Sequence, residues 1–481
     1  MNAEQREQVR SNAKYLASVR PIDPEEIHQY VEGQPHPGAV ARVLRESATD
    51  LGLVERADGT FVPVPEGSIQ GGFDGVEAFP ERYARVLEEL LVEEYGPGWP
   101  DGESGDRLRE VIRRLKEDYL RRAGVEYDRE TALGYACYHL PDFYAAVQYV
   151  LAVLLADGLL SHELRVLDVG AGVGGPALGL HDCLPADALV EYHAVEPSAA
   201  ADVLDAMLAE TGRNFHPTVH RTTAESFAPD GEYDVVLFAN VLNELSDPVA
   251  VVERYAEHLA ADGCVVAIAP ADENTATELR TVERAVERPP PNVAPDAEGL
   301  TVYAPGVRLW PEARPDDRGW SFDVKPDVAV PPFQRRLESG AGGPAHEGGK
   351  FLNTDVQYAY SILRADGRER IGFTPEASEW ARMADMEAHV SNRIDLAAVK
   401  LSHDLATEGN PLYRVGDGSQ QVDHFAVLTR ESALNRDLRT ADYGDLLLCK
   451  NLLVLWNDDE GAYNLVVDGE TAVDRVPASE A

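Results

Sequence analysis

One segment restricts this chain more than any other: LRVLDVGAGVGGPALGL, residues 164–180. Residues 165–169 read as a buried strand, residues 170–175 as a glycine-rich turn, and residues 176–180 as the start of a helix. A strand, turn and helix in that order belong to an α/β sheet. The glycines allow a tight turn and let the backbone approach a ligand at the helix N-terminus. Gly170, Gly172 and Gly175 also satisfy the dinucleotide spacing G-x-G-x-x-G, so the glycines alone leave the ligand open.

Three further features separate the ligands. Asp168 stands two residues before Gly170, where a carboxylate repels a pyrophosphate and suits a cationic amino-acid group. The next apolar run, VEYHAVEP, ends at Glu196, placed to accept hydrogen bonds from ribose hydroxyls. The run EYDVVLFANVLNEL ends its strand at Asn240, and Thr223-Ala224-Glu225 precede it, placed to flank an adenine ring. A helix starting near Asp247-Pro248 and the strand Cys264 to Pro270 come at the expected interval. This order predicts a class I methyltransferase fold, Rossmann-like, with a mostly parallel sheet. The expected cofactor is S-adenosyl-L-methionine, held by Asp168, Gly170, Ala171, Gly172, Gly174, Glu196, Ala224, Glu225 and Asn240.

In such a site donor and acceptor must be held in line, about 3–3.5 Å apart. Asn240 and Asn243 are the expected catalytic residues; Asn243 and Glu244 also fit as polar groups at a helix start. No Asn/Asp-Pro-Pro-aromatic sequence marks an exocyclic amino methylase. No cysteine lies in that loop to attack a pyrimidine ring.

Around this centre the chain divides by pattern. Residues 1–68 read as a winged-helix-like module: two helices, opened by Asp23-Pro24 with Glu26 completing a capping box and by His36-Pro37, then a hairpin around Asp58-Gly59. Residues 69–160 read as helical, 161–365 as the methyltransferase domain with an insertion at 286–350, and 390–478 as a small β-rich domain. The longest apolar stretch, 143–156, is too short to span a bilayer at about 20 residues and reads as a core helix. The polar start lacks the apolar region of a signal peptide. The expectation is a cytoplasmic protein with no membrane partner.

The net charge is −41, from 84 acidic and 43 basic residues spread along all 481 positions. Acid dispersed in this way fits a halophile, in whose cytoplasm the Debye length is about 3 Å or less. Charge therefore does not exclude RNA as a partner. The four cysteines have no metal or disulfide spacing, and no metal is expected.

Several segments together resemble the methyltransferase-like family of mitochondrial small-ribosomal-subunit assembly factors and its prokaryotic relatives, in a haloarchaeal form. YACYHLPDFYAAVQYVLAVL is similar to that family's leading helix. LDVGAGVGGPALGL, VEPS and ANVLNEL stand in family order, as do Trp320-Ser321-Phe322, Phe333-Gln334-Arg335-Arg336 and FLNTDVQYAYSILR. The resemblance implies association with the small ribosomal subunit or its RNA. Members often carry four cysteines for an iron–sulfur cluster; residues 300–322 here carry none, so no cluster is expected. Ala269-Pro270-Ala271-Asp272 stands where the family more often has Glu-Pro-Gly. Two functions are expected from this: methylation of small-subunit ribosomal RNA, or cofactor binding without turnover by a ribosome assembly or translation factor. A methyltransferase for a small molecule or protein is the third. Arg335 and Arg336 read as phosphate contacts or paired surface charges. Trp310, Trp320, Tyr358 and Tyr360 read as base-stacking or core aromatics. The oligomeric state is not legible.

Overall fold

The computed structural model describes residues 1–122, 124–290, 293–294, 298–341 and 348–477. The chain begins with α1 (Ala3–Ala17), α2 (Pro24–Ile27), α3 (Pro37–Glu46) and α4 (Ala48–Leu51), then a hairpin of β1 (Leu53–Glu55) and β2 (Phe61–Pro63). Three longer helices come next: α5 (Glu81–Tyr95), α6 (Gly102–Arg121) and α7 (Arg129–Ala156). Strand and helix then alternate through β3 (Glu163–Val169), α8 (Gly175–Cys183), β4 (Leu189–Val195), α9 (Ala200–Leu208), β5 (Phe215–His220), β6 (Tyr233–Ala239), α10 (Pro248–Ala256), β7 (Leu259–Pro270) and α11 (Glu273–Val286). After these lie β8 (Thr301–Ala304), β9 (Asp323–Lys325), α12 (Pro332–Ser339) and β10 (Val356–Arg364). The chain closes with β11 (Arg393–Lys400), β12 (Leu412–Gly416), β13 (His424–Leu428), α13 (Asp437–Thr440), β14 (Leu446–Asn457), β15 (Ala462–Val467) and β16 (Ala472–Val476).

Two compact units share these elements. The first holds Met1–Ala228, Glu232–Val235 and Asp327–Val356. In it β3, β4 and β5 run parallel, in register Val169↔Val195 and Val195↔His220, which sets their C-terminal ends level. The first residues of β6 lie beside β3, where the Arg165 N–H donates to the Asp234 carboxylate at 2.6 Å. Parallel strands with helices between them bury both faces, which is why successive positions of β3 and β4 are mostly buried on either side.

The N-terminal module has its own core of Val9, Ala13, Ile22, Ile27, Val40, Leu44 and Phe61. Asp23 caps α2 as expected, accepting from Glu25 N–H, but the helix is a single turn and Glu26 pairs with Arg20 instead of completing a capping box. Asn214 accepts from the Glu55 N–H at 2.7 Å and donates to the carbonyls of Glu55 and Ala186, tying the hairpin to the α/β layer.

The second unit holds Pro229–Gly231, Val236–Pro326 and Gln357–Ala481. Here β7, β10 and β8 are successive sheet neighbours, with β10 antiparallel to both. In the terminal domain β11, β12, β13, β15 and β14 form a ring closed by the pairing of β11 with β14. Closure leaves no free edge among them, and Leu396, Leu447, Val454 and Leu465 fill the interior.

The expected insertion at 286–350 contains three short elements, β8, β9 and α12, among its described residues. It supplies β8 to the sheet and α12 to the first unit. Both elements are too short for periodicity to reveal. Residues 291–292, 295–297 and 342–347 of that stretch, and 478 of the terminal domain, lie outside the described residues. Residues 69–80, expected within a helical region, precede the first turn of α5. Among the described residues one helix, α7, is long and apolar enough to cross a membrane, and 61% of its apolar window is buried within the protein.

Candidate functional site

The turn after β3 divides its glycines by purpose. Gly170, Gly172 and Gly174 have φ of 75°, 54° and 97°, in the region that L-side chains avoid. The N–H groups of Gly170 and Ala171 donate to the Val195 carbonyl at 2.9 and 3.2 Å, pinning the turn to the end of β4. A Cβ on Gly172 would meet nothing nearer than the Gly170 carbonyl at 4.0 Å, so one side of the turn is open. Gly175 and Gly179 serve packing. A Cβ on Gly175 would lie 3.1 Å from Phe143 Cβ, and one on Gly179 only 2.2 Å from Val147 Cγ1.

Asp168 is fully buried. The Tyr192 hydroxyl donates to its Oδ2. Oδ1 has no partner among the described residues. Burial pushes this carboxyl up to about 7; the nearby Glu196 adds to the rise and the Tyr192 hydrogen bond opposes it. Glu196, just past β4, accepts from Gly172 N–H at 2.9 Å through Oε2 and from Ser198 N–H at 2.9 Å through Oε1. One carboxylate thereby holds both the glycine turn and the segment leading into α9. Beyond β5, Ala224 is buried and Glu225 exposed. The first unit thus gathers Asp168, Gly170, Ala171, Gly172, Gly174 and Glu196 at the C-terminal ends of β3 and β4, with Ala224 and Glu225 just past β5.

Asn240 and Asn243 belong to the second unit. Asn240 comes directly after β6 with φ of 57°, a conformation asparagine tolerates better than most residues. Its N–H donates to the Ile268 carbonyl at 2.8 Å. Asn243 is exposed on the next turn.

A second layer escaped sequence reasoning. Tyr135, His139 and Phe143 recur every four residues on α7 and so share one helical face. The His139 ring stacks on Phe143 at 4.9 Å and 11°, and Tyr135 meets His139 at 4.9 Å. Tyr135 also packs edge-on against Tyr127 at 5.5 Å, and the Tyr127 carbonyl accepts from Ala199 N–H at 3.2 Å. This ladder reaches from the segment after Glu196 to Gly175.

Pro141, inside α7, cannot supply the N–H that the Cys137 carbonyl would otherwise receive. Gln334 of α12 donates to that carbonyl at 2.9 Å, and its own oxygen accepts from Asn353 N–H at 3.0 Å. Asn353 in turn donates to Asp142 Oδ2 at 2.9 Å. Two signals pointed here, the helix-internal proline and the amides of Gln334 and Asn353 within family-like segments; their pairing across the chain was invisible.

The remaining expectations resolve toward structure. Arg336 pairs with Glu88 and lies over Trp99, while Arg335 donates to the Val330 carbonyl. Trp310, Tyr358 and Tyr360 are buried, and Trp310 donates to Asp417 at 2.9 Å. Trp320 donates to the Ala271 carbonyl. Asp272 caps α11 by accepting from Asn274 and Thr275 N–H. Among the described residues no group of His, Cys, Asp or Glu is arranged to hold a metal ion.

The sheet and its glycine turn define the Rossmann-like α/β fold of class I methyltransferases, with an N-terminal helical region and a β-rich C-terminal barrel. Residues 167–265 match the model of a methyltransferase domain. Residues 6–57 and 384–476 match the N-terminal and C-terminal domain models of DUF8157, a domain of unknown function. No curated protein matches the chain. Among solved structures, the chain is similar to a candidate methyltransferase of Thermoplasma acidophilum, at 12% identity, covering 44% of this chain and 71% of that one, TM-score 0.27. The plantazolicin methyltransferase BpumL, solved with SAH, is 11% identical, with 59% and 99% covered and TM-score 0.29. A candidate O-methyltransferase of Nostoc punctiforme is 15% identical, with 56% and 76% covered and TM-score 0.26.

Proposed function

We propose that the chain is an S-adenosylmethionine-dependent methyltransferase whose cofactor lies against the glycine turn between β3 and α8. The observation that carries this is Asp168 Oδ1, a buried carboxylate oxygen with no partner among the described residues, two residues before that turn. Such an atom costs about 1–3 kcal/mol until a donor reaches it. The ammonium of an amino-acid ligand supplies that donor, whereas a pyrophosphate would be repelled. The open side of Gly172 gives the ligand room. Glu196 Oε2 accepts one protein hydrogen bond and keeps acceptor capacity for ribose hydroxyls. Ala224 and Glu225 stand for the adenine. When bound, the sulfonium supplies an activated methyl group. The chain's own groups bind, orient and exclude water.

The acceptor class we favour is small-subunit ribosomal RNA, in a salt-rich cytoplasm. Its support is the sequence resemblance and the two flanking modules, which suit a macromolecular acceptor better than a small one. A factor that binds the cofactor without turnover is the second reading, favoured by the same modules.

The test is calorimetric titration of S-adenosylmethionine in molar KCl, followed by transfer of labelled methyl to small subunits from a strain lacking the gene. Binding by the wild type that Asp168→Ala abolishes is the expected result. Label in ribosomal RNA identifies the enzyme, and Asn240→Ala should then keep binding and lose transfer. Binding without label to any acceptor favours the second reading. Absence of binding overturns both.

A further inference from the structure

We propose that His139 is the group that takes the proton from the methyl acceptor, and that Asp142 and Asn353 are its positioning residues; this rests on the methyltransferase reading above.

The neighbours of His139 Nδ1 decide which ring nitrogen carries the proton. His139 Nδ1 lies 3.4 Å from Asp142 Oδ2 and 3.3 Å from Asn353 Nδ2. The Asn353 amide has two protons, and both are engaged, by Asp142 Oδ2 at 2.9 Å and the Tyr138 carbonyl at 3.1 Å. Flipping that amide would set its oxygen against a carboxylate and a carbonyl. Asn353 therefore offers no proton to His139, and Nδ1 is the donor, toward Asp142. The lone pair is left on Nε2, the arrangement a general base requires.

Location supports the role. His139 stands on the α7 face whose ladder ends at Gly175 and, through Tyr127, at Ala199. Gly175 directly follows the turn, and Ala199 stands three residues past Glu196, the acid assigned to the cofactor. The His139 side chain is 29% exposed, enough to be reached, and Nε2 has no protein partner among the described residues. Tyr135, Tyr138 and Phe143 enclose the ring at 4.8–4.9 Å and fix its plane. Asp142 is itself anchored: it ends the proline-disturbed turn that Gln334 and Asn353 repair. Its Oδ1 is buried with no partner among the described residues, and burial raises this carboxyl above its usual range. A raised carboxyl gains most from a neighbouring imidazolium, which is the product of proton transfer.

The step balances. The acceptor's nitrogen or oxygen lone pair forms the bond to the methyl carbon. The carbon–sulfur bond breaks with its electron pair left on sulfur, giving a neutral thioether. The acceptor's proton passes to His139 Nε2 and then to water.

Two measurements test this. Nitrogen-15 ring spectra of the wild type, with His139→Gln for assignment, should show His139 protonated at Nδ1, and Asp142→Asn should move the proton to Nε2. Single-turnover transfer from labelled S-adenosylmethionine, offered total RNA, protein and small-molecule fractions, should fall at least about a hundredfold in His139→Gln. Cofactor affinity measured by calorimetry should stay within about twofold, and added imidazole should restore part of the rate in His139→Ala. A wild-type His139 protonated at Nε2, or wild-type rates in His139→Gln, overturns the assignment while leaving the methyltransferase reading intact. A wild type that binds cofactor yet labels nothing overturns turnover, and the base with it. A wild type that fails to bind overturns the reading beneath both.

Discussion

The Tyr192 hydroxyl holds one oxygen of Asp168 while the other oxygen of the same carboxyl is buried with no partner among the described residues. The asymmetry has a thermodynamic signature. The folded carboxyl titrates at about 7, against about 3.9 when unfolded. A raised acid favours the folded state fully below its unfolded value and loses that contribution as pH rises through the folded one. Without ligand, the wild type should therefore lose stability relative to Asp168→Asn between pH 4 and 7. The full gap is on the order of 4 kcal/mol. Urea midpoints at fixed high KCl and stepped pH would measure it. A pH-independent gap would show that Asp168 does not ionise in that range.

The two kinds of glycine should separate by substitution. Gly172→Ala places a Cβ in open space at a strained φ of 54°, so stability should drop by only about 1 kcal/mol while cofactor affinity is lost. Gly179→Ala drives a Cβ to 2.5 Å from the Tyr144 carbonyl, and α7 and α8 must part. Roughly 1–3 kcal/mol should be lost, with affinity largely kept in the fraction that folds. Denaturant unfolding beside calorimetry distinguishes the pair.

Gln334→Ala should cost about 1–3 kcal/mol, because it leaves the Cys137 carbonyl buried without a donor. Gln334→Glu keeps the volume and removes the donor, so it should cost as much. A variant as stable as the wild type in differential scanning would mean that water replaces the amide.

In the second unit, Arg414 is buried between Asp317 and Asp423. Burial pushes Asp317 up, but Arg414 and Arg284 more than offset it and hold the carboxyl below its usual range. That contribution is present above the unfolded value near 3.9 and disappears as pH falls. Arg414→Met removes the cation from two buried acids and should cost about 3–5 kcal/mol at neutral pH. The penalty should shrink in acid. Thermal unfolding at pH 7 and at about pH 3, below the unfolded value, is the check.

The glycine turn, Asp168, Glu196 and the β-rich end were legible because each rests on local chemistry: positive φ, a strand-end carboxylate, alternation broken by turns. Glu196 was read as a ribose acceptor; nothing local revealed that its carboxylate holds Gly172 and Ser198. Tyr192 read as one more apolar strand residue, although its hydroxyl meets Asp168 across a register fixed only by strand pairing. His139, Asp142 and Asn353 were the hardest. Two stand three apart on a helix, but the third arrives more than two hundred positions later, and only folding brings it near. Within the insertion, β8 and α12 were illegible because each is short and held by long-range partners.

Pro141 has a consequence for how the chain is made. During synthesis α7 emerges with one of its carbonyls unserved, and the residue that serves it, Gln334, is still 197 positions from Cys137 along the chain. The helix that walls the site is therefore completed only after the ribosome has passed the strands beyond it. A nascent fragment ending before α12 would carry the glycine turn and both acids beside an unfinished helix, and Asp142, which faces His139 Nδ1, would lack the Asn353 amide that holds it. Proofreading of a kind is thus built into the order of residues: competence for proton transfer arrives only once the chain has been made nearly to β10.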